Sequence, residues 1–284
     1  MKVSIKFLLA SITIASFASC SRDHSYMKDQ SESKSSSSAA TSESESKPKA
    51  IIFKATGDSL AIRPTLDEFR DLLGSTNVMP GPAGGFKSGH REVNWDGGPA
   101  TLTNNFLFPG DFFAATDPTL PDGRKRGLIN TTPGTGFSIS DNDFKFINLK
   151  YDDQFDDFSP KKTFIAVGSN ITDNFFKVPG TNRDATVQGF GVVFSGVNNA
   201  SSTSLEFYNG DKLLGSFKVP NVGNNIPGGF SFLGVYFPGE KVTRVRIFSG
   251  SAALSSTQDD LTDGGGEDLV VMDDFIYSEP QDLE

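Results

Sequence analysis

The sequence predicts a mainly β protein, a jelly-roll-like β-sandwich with one short amphipathic helix near its start. Three observations predict it. Short apolar runs recur between turns rich in Gly, Pro, Asn and Asp, with no regular alternation of helix and strand. Phenylalanine dominates the aromatics, with 26 Phe against one Trp and five Tyr, as suits a core packed between two sheets. From Ala50 to the end the chain is long enough for one all-β domain.

The N-terminus precedes that domain. Lys2 and Lys6 form a basic start, and residues 7–18 are apolar or small. That run is shorter than the roughly 20 apolar residues a membrane-spanning helix needs, so residues 1–19 are expected to be a signal peptide. The run ends in Phe17-Ala18-Ser19-Cys20, and Cys20 is the only cysteine in the chain. This resembles the lipobox of bacterial lipoproteins, with Phe17 where Leu is usual. The resemblance implies lipid modification of Cys20 and anchoring in a bilayer. With no second cysteine there is no disulfide, so the domain must be held by burial. Residues 20–49 are Ser-rich with charges of both signs and one aromatic, Tyr26, and are expected to form a disordered tether. His24 lies in this tether and carries no catalytic expectation.

The domain, residues 50–284, is acidic. It holds 19 basic and 30 acidic residues, a net of −11, which repels nucleic acid and argues against it as a partner. Thr65-Leu66-Asp67-Glu68 has the form of a capping box, so a helix is expected over 65–73, ended by Gly74. Strands are expected at 51–54, 136–140, 163–167 and 187–194. In the last of these, two glycines point to bulges or close backbone approach. A hairpin follows, from Ser204 to Tyr208 and back from Lys212 to Val219, around Asn209-Gly210-Asp211. Residues 230–237, the alternating stretch Arg244 to Phe248, and 269–277 complete the set. The Gly- and Pro-rich stretch 78–135 has few strand signals and is expected to pack as ordered or functional loops.

Motifs for common chemistries are missing. There is no G-x-S-x-G, H-E-x-x-H, P-loop or G-x-G-x-x-G after a strand. The domain has one histidine, His90, expected on a loop surface. A glycosidase pair of carboxylates would draw on Asp96, Glu92, Asp274 and Glu279. Calcium, which takes six to eight oxygens, suits three acidic clusters. These are Asp141–Asp143, residues 152–157, and 259–268 together with Asp273 and Asp274. The metal expectation centres on Asp273, Asp274 and Asp263, the first two facing opposite ways if the strand is regular. The alternative is that these carboxylates form solvated loops. Trp95, with Asp96 beside it, is either a sugar-stacking platform for ligand binding or a buried anchor for its loop.

Several segments together resemble a group of secreted bacterial β-sandwich proteins. They are TLDEFRDLLG at 65–74, GHREVNWDGGP at 89–99, RGLINTTPGTGFSIS at 126–140, FFKVPG at 175–180, GFGVVF at 189–194, SLEFYNGDKLLGSFKVP at 204–220, FSFLGVYFPGEKVTRVRIFSG at 230–250 and VVMDDFIYSEPQ at 271–281. The closing DDFIYSEP is similar to the last strand of PEP-CTERM-associated exported proteins, although no C-terminal sorting helix follows it here. The resemblance implies an extracytoplasmic β-sandwich and supplies no catalytic residues. The expectation is therefore a lipid-anchored protein of the cell envelope, at the outer membrane or cell surface. Its role would be a non-catalytic binding or adhesion module for an extracellular glycan or envelope component. A structural envelope protein and a carboxylate-based glycan hydrolase are the alternatives.

Overall fold

The computed structural model describes residues 49–77, 84–223 and 227–283. The signal peptide, Cys20 and nearly all of the tether lie outside the described residues. In chain order the elements are β1 (Ile51–Gly57), α1 (Ser59–Leu73), β2 (His90–Val93), β3 (Leu128–Thr131), β4 (Gly136–Ser140), β5 (Thr163–Val167), β6 (Ile171–Lys177), β7 (Asp184–Thr186), β8 (Gly189–Ser195), β9 (Ser204–Asn209), β10 (Lys212–Lys218), β11 (Phe230–Tyr236), β12 (Arg244–Phe248), β13 (Val271–Ser278) and β14 (Gln281–Asp282).

Two antiparallel sheets face each other. The first runs β1-β11-β8-β13-β5-β4, with β2 also on β13; the second runs β10-β9-β12-β6-β7-β14, with β3 also on β6. Taken along the chain, β5, β8, β11 and β13 lie in the first sheet, and β6, β9, β10 and β12 in the second. The spatial orders β11-β8-β13-β5 and β10-β9-β12-β6 are those of a jelly roll, two Greek keys wound across a sandwich. The predicted fold class holds at this level of detail. Burial drives the arrangement: every other residue of β9, β12 and β6 (Leu205, Phe207, Val245, Ile247, Phe176) enters one core with Phe190, Val192, Phe275 and Tyr277 of the opposite sheet.

The helix is longer than expected. It starts at Ser59, and Asp58 rather than Thr65 is its N-cap, its carboxylate accepting from Ala61 N at 2.8 Å. Pro64 lies inside the helix and removes one backbone donor. The burial of Ile62, Leu66, Phe69 and Leu73 on the outer face of the first sheet offsets that loss. The strand glycines explain how α1 seats. Gly191 and Gly234 are paired across β8 and β11, and a Cβ on either would stand 2.8–2.9 Å from the Phe69 ring. Gly189 leaves room for Leu73 in the same way, at 2.5 Å. The glycines thus form a hollow for the helix, the close approach that the sequence suggested.

The stretch 94–127 is irregular but ordered, and it closes one side of the sandwich. Phe108 bridges to Phe137 of β4, and Asn130 N of β3 donates to Gly110 O at 2.8 Å. Trp95, Phe108, Phe112 and Phe113 insert into the central core. Strands β2, β3, β6, β7 and β14 were not expected. In β6 the turn-forming pair Asp173-Asn174 is held extended by tertiary partners: Asn174 Nδ2 donates to Val245 O, and Asp173 pairs with Arg246.

Gly191→Val and Gly234→Val are each expected to destabilise the domain by about 1–3 kcal/mol through overpacking against Phe69. Calorimetry should show a fall of about 2–4 °C in Tm per kcal/mol, and adding Phe69→Leu should restore part of it.

Candidate functional site

Strand β13 is irregular where the acidic pair lies. Its register with β8 shifts between Met272 and Phe275, so Asp273 and Asp274 form a β-bulge. Before the bulge β13 meets β5 at Phe164; after it, β13 pairs with β2 from Val93 to His90. The change of neighbour leaves the Asp273 carbonyl without a ladder partner, and Trp95 Nε1 donates to it at 2.7 Å. Trp95 has no exposed surface and stacks on Phe164 at 3.7 Å between ring centroids. Of its two expected roles, the structure holds the buried anchor, and no ring face is left for a sugar. Asp96 beside it is half-buried and accepts from Lys161 N at 2.5 Å, serving the same loop.

The bulge also corrects the expectation that Asp273 and Asp274 face opposite ways. Both carboxylates accept from Ser159 Oγ, at 3.1 and 2.7 Å, and Asp273 also accepts from Phe158 N at 2.6 Å. They are 0% and 3% exposed, which closes them to a substrate. Burial, then the neighbouring carboxylate, pushes Asp273 well above the usual carboxylate range. Burial raises Asp274 to about 6, against the hydrogen bond from Ser159.

The other carboxylates of the sequence reading are committed to scaffolding. Arg70 of α1 reaches Glu92 at 2.7 and 3.2 Å and lies 3.9 Å from Asp274. Burial alone would raise Glu92, yet the His90 ring beside it and the hydrogen bonds from Arg70 hold it below the usual carboxylate range. His90 is not on a loop surface: it is buried in β2, with Nδ1 2.6 Å from Gly74 O and Nε2 3.2 Å from Glu92. These groups floor an open cleft of about 320 Å³ beneath the end of α1. Glu279 forms a buried pair with Arg91 at 2.6 and 2.9 Å. Such ion pairs fix register more than they add stability.

The expected calcium ligands are not brought together. Asp263 is exposed at the end of a short 3-10 helix, Leu261–Asp263, and among the described residues it shares no ligand cluster with Asp273 and Asp274. Among the described residues, the one triple whose ligand atoms all lie within 4.8 Å is Asp143, Asp152 and Asp153, which joins two of the three clusters noted in the sequence. Burial raises Asp143 there to about 6. In the third cluster, Asp260 accepts from Leu269 N, Thr262 N and Gln154 Nε2, and Asp268 from Asn198 N and Asn199 N. These two carboxylates hold loops through backbone donors.

A different surface gathers side chains suited to a ligand, and it did not appear as a cluster in the sequence. On the second sheet, the residues that alternate with the core positions point outward. Register aligns Leu213, Tyr208, Arg244, Phe175 and Ile129 in one row across β10, β9, β12, β6 and β3. At about 4.8 Å between strands the row spans about 19 Å. The next row is Ser216, Glu206, Arg246, Asp173 and Thr131. Phe175 is 37% and Leu213 49% exposed. The Arg244 guanidinium lies 4.0 Å from the Tyr208 ring centroid. Tyr208 Oη donates to Glu206 at 2.5 Å, and Arg246 clasps both oxygens of Asp173 at 2.9 and 2.7 Å. The outward arginines of KVTRVRIF were legible as the polar half of a β alternation; their meeting with Tyr208 and Phe175 follows only from strand order.

No family model, curated protein or solved structure matches the chain.

The buried pair gives a pH signature. Both folded pKa values are raised above the unfolded value near 3.9, so the pair's stabilising contribution is complete below about pH 4. It is lost as pH rises through about 6 for Asp274. Asp274→Asn keeps an acceptor for Ser159 and removes the charge. It is expected to raise stability at pH 8 relative to the parent, by up to about 3 kcal/mol, and to give no gain at pH 4. Denaturant melts at the two pH values check this, and an equal effect at both would refute it.

Proposed function

We propose that the chain is an extracytoplasmic lipoprotein, held at the cell envelope through Cys20, whose jelly-roll domain binds glycan across the outer face of its second sheet without catalysing a reaction. The observation that carries the binding reading is the outward row Leu213, Tyr208, Arg244, Phe175 and Ile129, backed by Glu206, Arg246 and Asp173. Apolar rings suit the C–H faces of a sugar, and planar charged groups suit its hydroxyls. Their strands are rigid, so little ordering accompanies binding. The row is open and elongated, a shape that suits a polymer better than a small metabolite. The lipid anchor is supported by the lipobox-like Phe17-Ala18-Ser19-Cys20 and by the lone cysteine.

A second reading, an envelope scaffold protein that meets another protein, is favoured by exposed apolar groups elsewhere. Phe106 is 51% and Leu107 71% exposed, and the Phe106 and Phe146 rings meet at 5.2 Å.

Two measurements test the proposal. Metabolic labelling with palmitate should mark the full chain and leave Cys20→Ser unlabelled and released from the membrane fraction. Detergent-purified full chain should bind oligosaccharides on a glycan array, and Tyr208→Ala with Phe175→Ala should weaken binding at least tenfold while Tm stays within about 4 °C, as for surface substitutions. A chain that binds no glycan and sediments as a stable oligomer would support the scaffold reading instead.

A further inference from the structure

We infer that the glycan taken by this face is anionic, and that Arg244 is the residue that binds its carboxylate or sulfate group; the inference rests on the sheet-face reading above. Arg244 stands at the centre of the outward row, between Tyr208 and Phe175. Its neighbour Arg246 is satisfied by a two-pronged pair with Asp173. Arg244 is not: its nearest carboxylate oxygen, on the same Asp173, is 3.9 Å away, and its Nε is buried with no hydrogen-bond partner. Among the described residues its guanidinium makes no hydrogen bond, and the Tyr208 ring holds its plane in place at 4.0 Å. A planar fork of N–H donors that is oriented by an aromatic ring and left without an acceptor matches an incoming carboxylate or sulfate, which accepts two parallel hydrogen bonds.

Charge on this face agrees. Arg244, Arg246 and Lys218 stand outward on it against Glu206 and Asp173, whereas the domain as a whole carries 19 basic and 30 acidic residues. Three basic groups against two acidic ones make this strip less repulsive to an anion than the domain's net charge would suggest. Glu206 and Asp173 are themselves engaged by Tyr208 and Arg246, which leaves Arg244 as the charge with unused donors.

The test is titration of the detergent-purified full chain with three probes by calorimetry: oligogalacturonate for carboxylate, a chondroitin sulfate oligosaccharide for sulfate, and a cello-oligosaccharide as neutral control. The expected result is binding of one anionic probe at least tenfold tighter than the neutral one, weakened at least tenfold between 50 and 500 mM salt. Which anionic probe binds tells carboxylate from sulfate. Arg244→Gln should lose at least tenfold in affinity for that probe. Arg244→Lys, which keeps the charge and loses the fork, should fall between, and it serves should Arg244→Gln fold poorly. Equal or tighter binding of the neutral glycan, or unchanged affinity in both variants, overturns the anionic assignment and leaves the sheet-face reading standing. Binding of none of the probes, together with an empty glycan array, overturns both.

Discussion

The contact on which most of this structure depends is that of Trp95 with Phe164 and with the backbone of Asp273. The indole fills the central core, stacks on β5 and donates to the carbonyl that the β13 bulge leaves free. Without disulfides, burial must hold together a long irregular segment and two sheets. Placing the chain's one Trp at the point where β13 exchanges β5 for β2 does both. The segment 94–127 is tied to the sandwich there, and its phenylalanines complete the wall between β4 and β3.

The bulge then determines the electrostatics of the outer side. It turns Asp273 and Asp274 to the same donor, Ser159, and sets them near Arg70 of α1. A regular strand would have sent one carboxylate into the apolar core, where it would need a partner of its own. The pair, Glu92, His90 and Arg91–Glu279 form a buried polar seam around β2. Each member is committed to a neighbour, and this seam docks the helix and the strand in register. The second sheet, on the opposite side of the sandwich, turns a different set of charged and aromatic side chains outward.

The two faces divide the labour of the fold. The first sheet is covered by α1, which the glycines at 189, 191 and 234 allow to approach closely. The outer face of the second sheet carries the row centred on Arg244, with aromatic and charged groups from β9, β12 and β6 flanked by Leu213 of β10 and Ile129 of β3, and the width of the row is set by strand spacing alone.

By itself the sequence determined the fold class and most strands, because alternating burial and turn chemistry are local: β4, β5, β12 and the β9–β10 hairpin fall within a residue or so of their expected places. It determined the lipobox-like cysteine and the acidic charge, which are matters of composition. Tertiary structure decided the rest. Strand β6 stays extended through Asp173 and Asn174 because Arg246 and Val245 lie opposite, seventy residues away in the chain. Trp95 is an anchor because Phe164 and Asp273 surround it. The acidic pair shares one donor because a bulge cancels the alternation that the sequence implied. Arg244, Tyr208 and Phe175 come from three strands, and only hydrogen-bonded register, which no local pattern encodes, sets them side by side.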